Sequence, residues 1–156
     1  MSNAERPGSR YWKLIEPFWI PLNESWDDDP RAFLALFRQV PVAVGHLYAS
    51  HWCQSEVCNG GLHQFFYNTT GLVAPEALAG FRAVGLHECA DVMAEAIGYF
   101  GPRYPRERSL RLRRLPETTD QRASQDVFVA LDERFYDAEA DRWYRVADIY
   151  ADKITV

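Results

Sequence analysis

Between Pro41 and the triplet Asn59-Gly60-Gly61, the residues Val44, Leu47, Tyr48, His51, Trp52 and Cys58 recur at i, i+3, i+4, i+7, i+8 and i+14. That period places large side chains on a single face of an α-helix, a stripe about 100° wide, and no β-strand can reproduce it. The triplet closes the helix, because Asn and Gly reach positive φ at low cost in a C-terminal cap. A short helical stretch, Leu62 to Tyr67, is expected to follow. A long helix with one apolar face must bury that face against other elements.

Those elements also read as helices. Asp29-Pro30 supplies an N-cap and a proline at the first helical position, and Pro41 forces that helix to end near Arg38. Ala74-Pro75-Glu76 opens another helix, which Gly85 ends after Leu78, Phe81 and Val84. Leu86, Cys89, Ala90, Met93, Ala96, Ile97 and Phe100 carry a further helical pattern, closed by Gly98, Gly101 and Pro102. Tyr104 to Leu115 forms a basic loop or short helix bracketed by Pro105 and Pro116, and Glu117 to Ala123 reads as a polar loop. Ser124 caps a helix that buries Phe128, Leu131 and Phe135, and a last helix near Asp137 to Lys153 buries Trp143, Val146, Ala147 and Tyr150. The expected fold is all-α, a single bundle of about seven helices over residues 1–156, with 1–10 flexible. There is no internal repeat or linker to divide it.

At 47% hydrophobic and 14% aromatic residues, the chain can bury a core without disulfides or a metal. No run approaches the roughly 18 apolar residues of a membrane span, and Met1 to Arg10 lack the apolar stretch of a signal peptide, so a cytoplasmic location is expected. In that compartment the odd set Cys53, Cys58 and Cys89 reads as reduced, packed thiols.

Four potential zinc ligands, His51, Cys53, Cys58 and His63, fall close together, but the helix separates them. His51 and Cys58 lie about 20° apart, whereas Cys53 points about 160° away from His51. No metal and no cofactor is expected. A nucleophilic cysteine lacks a glycine-rich turn or helix start to activate it, and Asn59-Gly60-Gly61 lacks the strand and spacing of a phosphate loop.

Asn59, Gly60, Gly61, His63, Gln64, Phe66, Tyr67 and Asn68 alternate amide and imidazole groups with large rings. They form either a structural motif or a polar-lined pocket for a small ligand, with His63 as the acid/base group if the protein is an enzyme. The net charge of −5 conceals an asymmetry. Gly101 to Arg114 holds six arginines against one glutamate, a local +5 that leaves −10 on the remainder. Arg103, Arg106, Arg108, Arg111, Arg113 and Arg114 are therefore expected on the outside as a surface for an anion or an acidic partner, tethered by Leu110, Leu112 and Leu115. Asp132, Glu133, Asp137, Glu139 and Asp141 form a candidate acidic surface. Direct nucleic-acid binding is not expected, since only Tyr104 interleaves the arginines and the acidic remainder repels a duplex.

The run from Ser55 to Gly71, containing Asn59-Gly60-Gly61-Leu62-His63-Gln64-Phe65-Phe66-Tyr67-Asn68, is followed by Ala74-Pro75-Glu76-Ala77. Together these resemble the signature of a bacterial domain family of unknown function that includes the DNA-mimic protein of the Neisseria DMP type. The likeness extends to Tyr48 and Trp52, and through Tyr104-Pro105-Arg106, Leu131-Asp132, Phe135-Tyr136 and Tyr150, covering about Tyr11 to Ala151. It implies an all-helical fold and, for the DNA-mimic member, an acidic dimer that occupies a transcription factor; it supplies no catalytic residues. The expected function is a protein-interaction module, a monomer or homodimer, that sequesters a basic or DNA-binding regulator, with the ligand pocket or enzyme as the alternative.

Overall fold

The computed structural model describes residues 9–115, 121–140 and 142–154, and of 121–127 the backbone alone. It is all-α, with no strand among the described residues. Among the described residues eight helices occur in chain order: α1 (Arg10–Glu24), α2 (Arg31–Phe37), α3 (Val42–Tyr67), α4 (Ala74–Val84), α5 (His87–Gly98), α6 (Arg108–Arg114), α7 (Gln121–Glu139) and α8 (Arg142–Asp152). A 3-10 turn, Thr69–Val73, joins α3 to α4. The buried hydrophobic residues among those described form one cluster.

Helix α3 is the axis of the molecule. It packs most extensively on α4 and also touches α1, α6, α7 and α8. Its expected stripe is buried at Val44, Leu47, Tyr48 and His51, but Ala49, Ser50, Cys53, Gln54 and Val57 are buried as well. A helix enclosed on all sides is buried all round, so the one-faced stripe understates it. Cys58, expected on that stripe as a packed thiol, is exposed; Cys53 and Cys89 are buried. The axes of α3 and α4 approach so closely at Gly80 that an added Cβ would overlap the His46 carbonyl and lie 3.1 Å from Ser50 Cβ.

Helix α4 ends as its sequence dictates. Gly85 is left-handed at φ 91°, the Leu86 N–H donates to the Phe81 carbonyl at 2.9 Å, and the Gly85 N–H donates to Arg82 at 3.2 Å. This is the doubled C-terminal bond that satisfies otherwise orphaned carbonyls. Helix α2 begins with the Asp29 carboxylate accepting the Arg31 N–H at 3.0 Å, as the Asp-Pro pair implies.

Three differences from expectation stand out. Helix α1 has no counterpart in the sequence reading, because Pro17 and Pro21 interrupt it and proline is a helix breaker. Both prolines face outward, while Tyr11, Ile15 and Leu22 are buried at i, i+4 and i+11. Helix α7 starts at Gln121, ahead of Ser124, and runs to Glu139, so Asp137 belongs to it and the last helix starts only at Arg142. Ala140, at φ 32°, separates the two. Of the segment 1–10 expected to be flexible, residues 1–8 lie outside the described residues, as do 117–120 of the expected polar loop.

Helices α1 and α8 pack against each other. The Tyr11 N–H donates to Asp148 Oδ1 at 3.0 Å, Arg10 pairs with Asp152 at 3.0 Å, and the Tyr11 ring meets Trp143 edge-on at 5.0 Å. Asp148 thus satisfies an orphan donor in the first turn of α1 from a distant helix, where negative charge also suits the helix dipole.

Candidate functional site: the kinked signature motif and its arginine clasp

Helix α3 breaks at the glycine pair. Gly60 sits at φ −152°, ψ 19°, and Gly61 at φ 81°, ψ 177°, a conformation essentially restricted to glycine. The break leaves the first N–H groups of the following segment unpaired, and Leu62 N–H is taken by Asp132 Oδ1 of α7 at 2.8 Å. Asp132 thereby caps a helical segment seventy residues away in sequence. It is half-buried, and burial raises its carboxyl above the ordinary aspartate range against the lowering effect of the Leu62 bond.

Glu56 lies one turn before the break and gathers the polar part of the motif. Gln64 Nε2 donates to Glu56 Oε2 at 2.6 Å, Asn68 Nδ2 to the same oxygen at 2.9 Å, and the Thr70 hydroxyl to Oε1 at 3.2 Å. Asn59 Nδ2 in turn donates to Gln64 Oε1 at 3.2 Å. The amides of the signature are therefore committed to one carboxylate and to each other. Glu56 was not among the sequence candidates; its place at i, i+8 and i+12 to Gln64 and Asn68 carries no helical signal, because the kink intervenes. Phe66 is fully buried, against Phe100 at 4.8 Å and Phe128 at 5.6 Å. Tyr67 is exposed, with the half-buried His63 ring stacked on it at 6.1 Å; His63 Nε2 has no hydrogen-bond partner among the described residues.

The arginine strip is where the structure departs furthest from expectation. Arg111 is not on the surface but wholly buried. Its guanidinium donates to four main-chain carbonyls: Phe66 at 3.0 Å, Asn68 at 2.9 Å, Arg106 at 2.6 Å and Pro105 at 3.3 Å. Two of these lie at the C-terminal end of α3, where orphan carbonyls and the helix dipole favour a cation. The planar five-donor fork explains why arginine, and not lysine, can serve carbonyls from two segments at once. Burial lowers its pKa, yet an arginine remains charged.

Arg106 donates to the Leu72 carbonyl at 2.9 Å and pairs with Glu76 at 2.7 Å, and Arg114 donates to Phe100 at 2.6 Å. Arg108 donates to the Tyr67 carbonyl at 2.6 Å and stands 4.8 Å over the Tyr67 ring. The Tyr104 hydroxyl donates to the Gly71 carbonyl. At Gly71 an added Cβ would lie 2.7 Å from the Phe65 carbonyl and 2.9 Å from Arg111 Nε, so only glycine fits under this clasp. Of the six arginines, Arg103 and Arg113 are exposed and without such bonds among the described residues. The tethering leucines are graded: Leu115 is buried, Leu112 half-buried and Leu110 exposed.

The acidic candidates divide in the same way. Glu133 and Asp137 are exposed; Asp132 is the cap just described; Glu139 is buried, with Cys58 Sγ 3.6 Å from its Oε2; Asp141 lies outside the described residues. Helix α5, which packs on α7, presents exposed Glu88, Asp91 and Glu95 at i, i+3 and i+7, a single face. Arg134 bridges Glu88 at 2.8 Å and Glu95 at 2.9 Å.

The four potential zinc ligands are dispersed. Cys53 lies in the core with its thiol 3.5 Å from the Met93 sulfur. His51 sits in a nest of five rings, Tyr11, Trp12, Trp19, Trp52 and Trp143, whose centroids are 5.3 to 6.4 Å from its own. Neither of its nitrogens has a hydrogen-bond partner among the described residues, and burial lowers its pKa to about 4. No group of three or more metal-ligating side chains converges among the described residues.

No curated protein and no solved structure matches the chain. The family described as DMP19-like protein matches residues 38–153, which spans the kinked motif, the arginine clasp and the α5–α7 face, and the chain belongs to that family.

Proposed function

We propose that this chain is a protein-interaction module that sequesters a basic, DNA-binding partner protein by presenting carboxylates in place of phosphates. The observation that carries this reading is the acidic face of α5 and α7. Glu88, Asp91, Glu95, Glu133 and Asp137 are exposed on two helices that pack together, with Arg134 as the one cation bonded to them among the described residues. Same-face positions on a helix recur about every 5–6 Å, so the face offers a closely spaced row of negative charge. The arginine clasp supports the reading, because Arg106, Arg108, Arg111 and Arg114 direct donors at carbonyls and Glu76 rather than at that row. Family membership supports it as well.

The ligand-pocket alternative needs Asn59, Gln64 and Asn68 to turn toward a ligand. In the structure they donate to Glu56 and to each other.

The test uses the full chain immobilised against a native bacterial lysate, with elution by duplex DNA. Nucleic-acid-binding proteins are expected to be retained by the wild type, displaced by the duplex, and lost from the Glu133→Lys/Asp137→Lys variant. Retention that is unaffected by both the duplex and the charge reversal would overturn the proposal, as would failure to retain any protein.

A further inference from the structure

A recess of about 310 Å³ opens between α2, the start of α3 and α4. Phe37, Val40, Val42 and Ala79 give it apolar walls, and Val42 remains 76% exposed at its mouth. The volume falls at the small end of the range typical of small-molecule sites, which are largely apolar with a few convergent polar groups.

The polar groups here have a definite sign. Glu76 lines the recess, but both its oxygens accept from Arg106 Nη1, at 2.8 and 2.7 Å, which neutralises it in place. Arg38 also lines the recess, and its guanidinium has no ion-pair or hydrogen-bond partner among the described residues. Arg82, exposed and with its guanidinium likewise unpaired among the described residues, follows one helical turn after Ala79 on α4. His46 completes the wall, with Nδ1 3.3 Å from the Tyr150 hydroxyl. When Nδ1 accepts from that hydroxyl, the neutral imidazole carries its proton on Nε2, a second donor. An apolar cleft whose unbalanced charge is a free guanidinium is complementary to one kind of small molecule, an apolar body ending in an anion that arginine can hold by two parallel bonds.

We infer that this recess binds a small organic acid, with its hydrocarbon or aromatic body against Phe37, Val42 and Ala79 and its carboxylate on Arg38. The site is independent of the acidic face of α5 and α7, so its success or failure does not bear on the partner-binding function.

Phenylacetate and its neutral counterpart phenylacetamide are the probes, titrated into the full chain and followed by NMR. The acid is expected to bind about tenfold or more tightly than the amide, the margin a charge-assisted bond confers, with the largest shifts at the Val42 and Ala79 methyl groups. Arg38→Gln, at an exposed position, should bring acid and amide within about twofold of each other, and Ala79→Phe should block both. Equal binding of acid and amide by the wild type, shifts centred elsewhere, or no perturbation by either probe at about 5 mM would overturn the inference. Should Ala79→Phe fail to fold, the shift map and Arg38→Gln decide the question on their own.

Discussion

Gly61 holds φ 81°, ψ 177°, and an added Cβ there would lie 2.8 Å from Asp132 Oδ2. Gly61→Val is therefore expected to destabilise the protein by about 1–3 kcal/mol from backbone strain alone, and to displace the Asp132 cap as well. Urea denaturation of Gly61→Val beside the wild type measures the loss, and unchanged stability would remove the glycine's structural role. His51 offers a second single-residue prediction. Its pKa falls from 6.5 in the unfolded chain to about 4 in the aromatic nest, so the unfolded state binds the extra proton first. The stability this contributes is fully present above pH 6.5 and is lost as the pH falls toward 4, in total on the order of 3 kcal/mol. The difference between wild type and His51→Phe isolates it from the carboxylates that titrate in the same range. Equal pH dependence of the two proteins between pH 7 and pH 4 would refute it.

At the scale of elements, two helix ends depend on side chains from elsewhere in the chain. Asp132→Ala removes the acceptor of the Leu62 N–H and should cost about 1 kcal/mol, in the range of other N-cap losses. The expected signature is local: faster amide exchange at Leu62 and the turn after it, with α5 and α8 unaffected. Arg111 has a larger role, since it joins the end of α3 to the segment before α6 through four carbonyls. Arg111→Met keeps apolar bulk but leaves those carbonyls without their donor, and is expected to cost about 3 kcal/mol or more. Arg111→Lys should recover only part of that, because one ammonium cannot span the acceptors of a planar fork. Exchange of the amides between Tyr104 and Leu115 should accelerate in both variants; protection equal to the wild type would show that the clasp is not what holds α6.

For the molecule as a whole, the burial of Arg111 and the inward bonds of Arg106, Arg108 and Arg114 change what the charge distribution implies. A strip that reads as +5 in sequence becomes largely a set of main-chain donors inside the fold, on a protein of net charge −5. Duplex DNA should therefore not be bound directly. A titration of labelled duplex at about 50 mM salt, where phosphate contacts are strongest, is expected to show no complex. A submicromolar complex weakened by Arg103→Ala/Arg113→Ala, the exposed pair, would overturn this. Changing Arg111 in that experiment would test folding instead.

Local chemistry made much of this architecture legible without a structure. Proline at helix starts, glycine at Gly61 and Gly85, and apolar residues at helical spacing act within a few residues of one another, so α2 through α5 and the kink follow from neighbours in the chain. The signature from Ser55 to Gly71 was sufficient to point to the family. Tertiary structure alone decided the rest, because the partners involved are far apart in sequence. Helix α1 tolerates two prolines because they face solvent while α8 receives its inner face, Asp132 leaves the acidic surface to cap a helix after the kink, and Glu56 collects three donors across that kink. The fate of the arginines is the clearest case: composition counts a guanidinium as a charge, but whether it meets solvent, an anion or a ring of carbonyls depends on which helix ends the fold brings beside it.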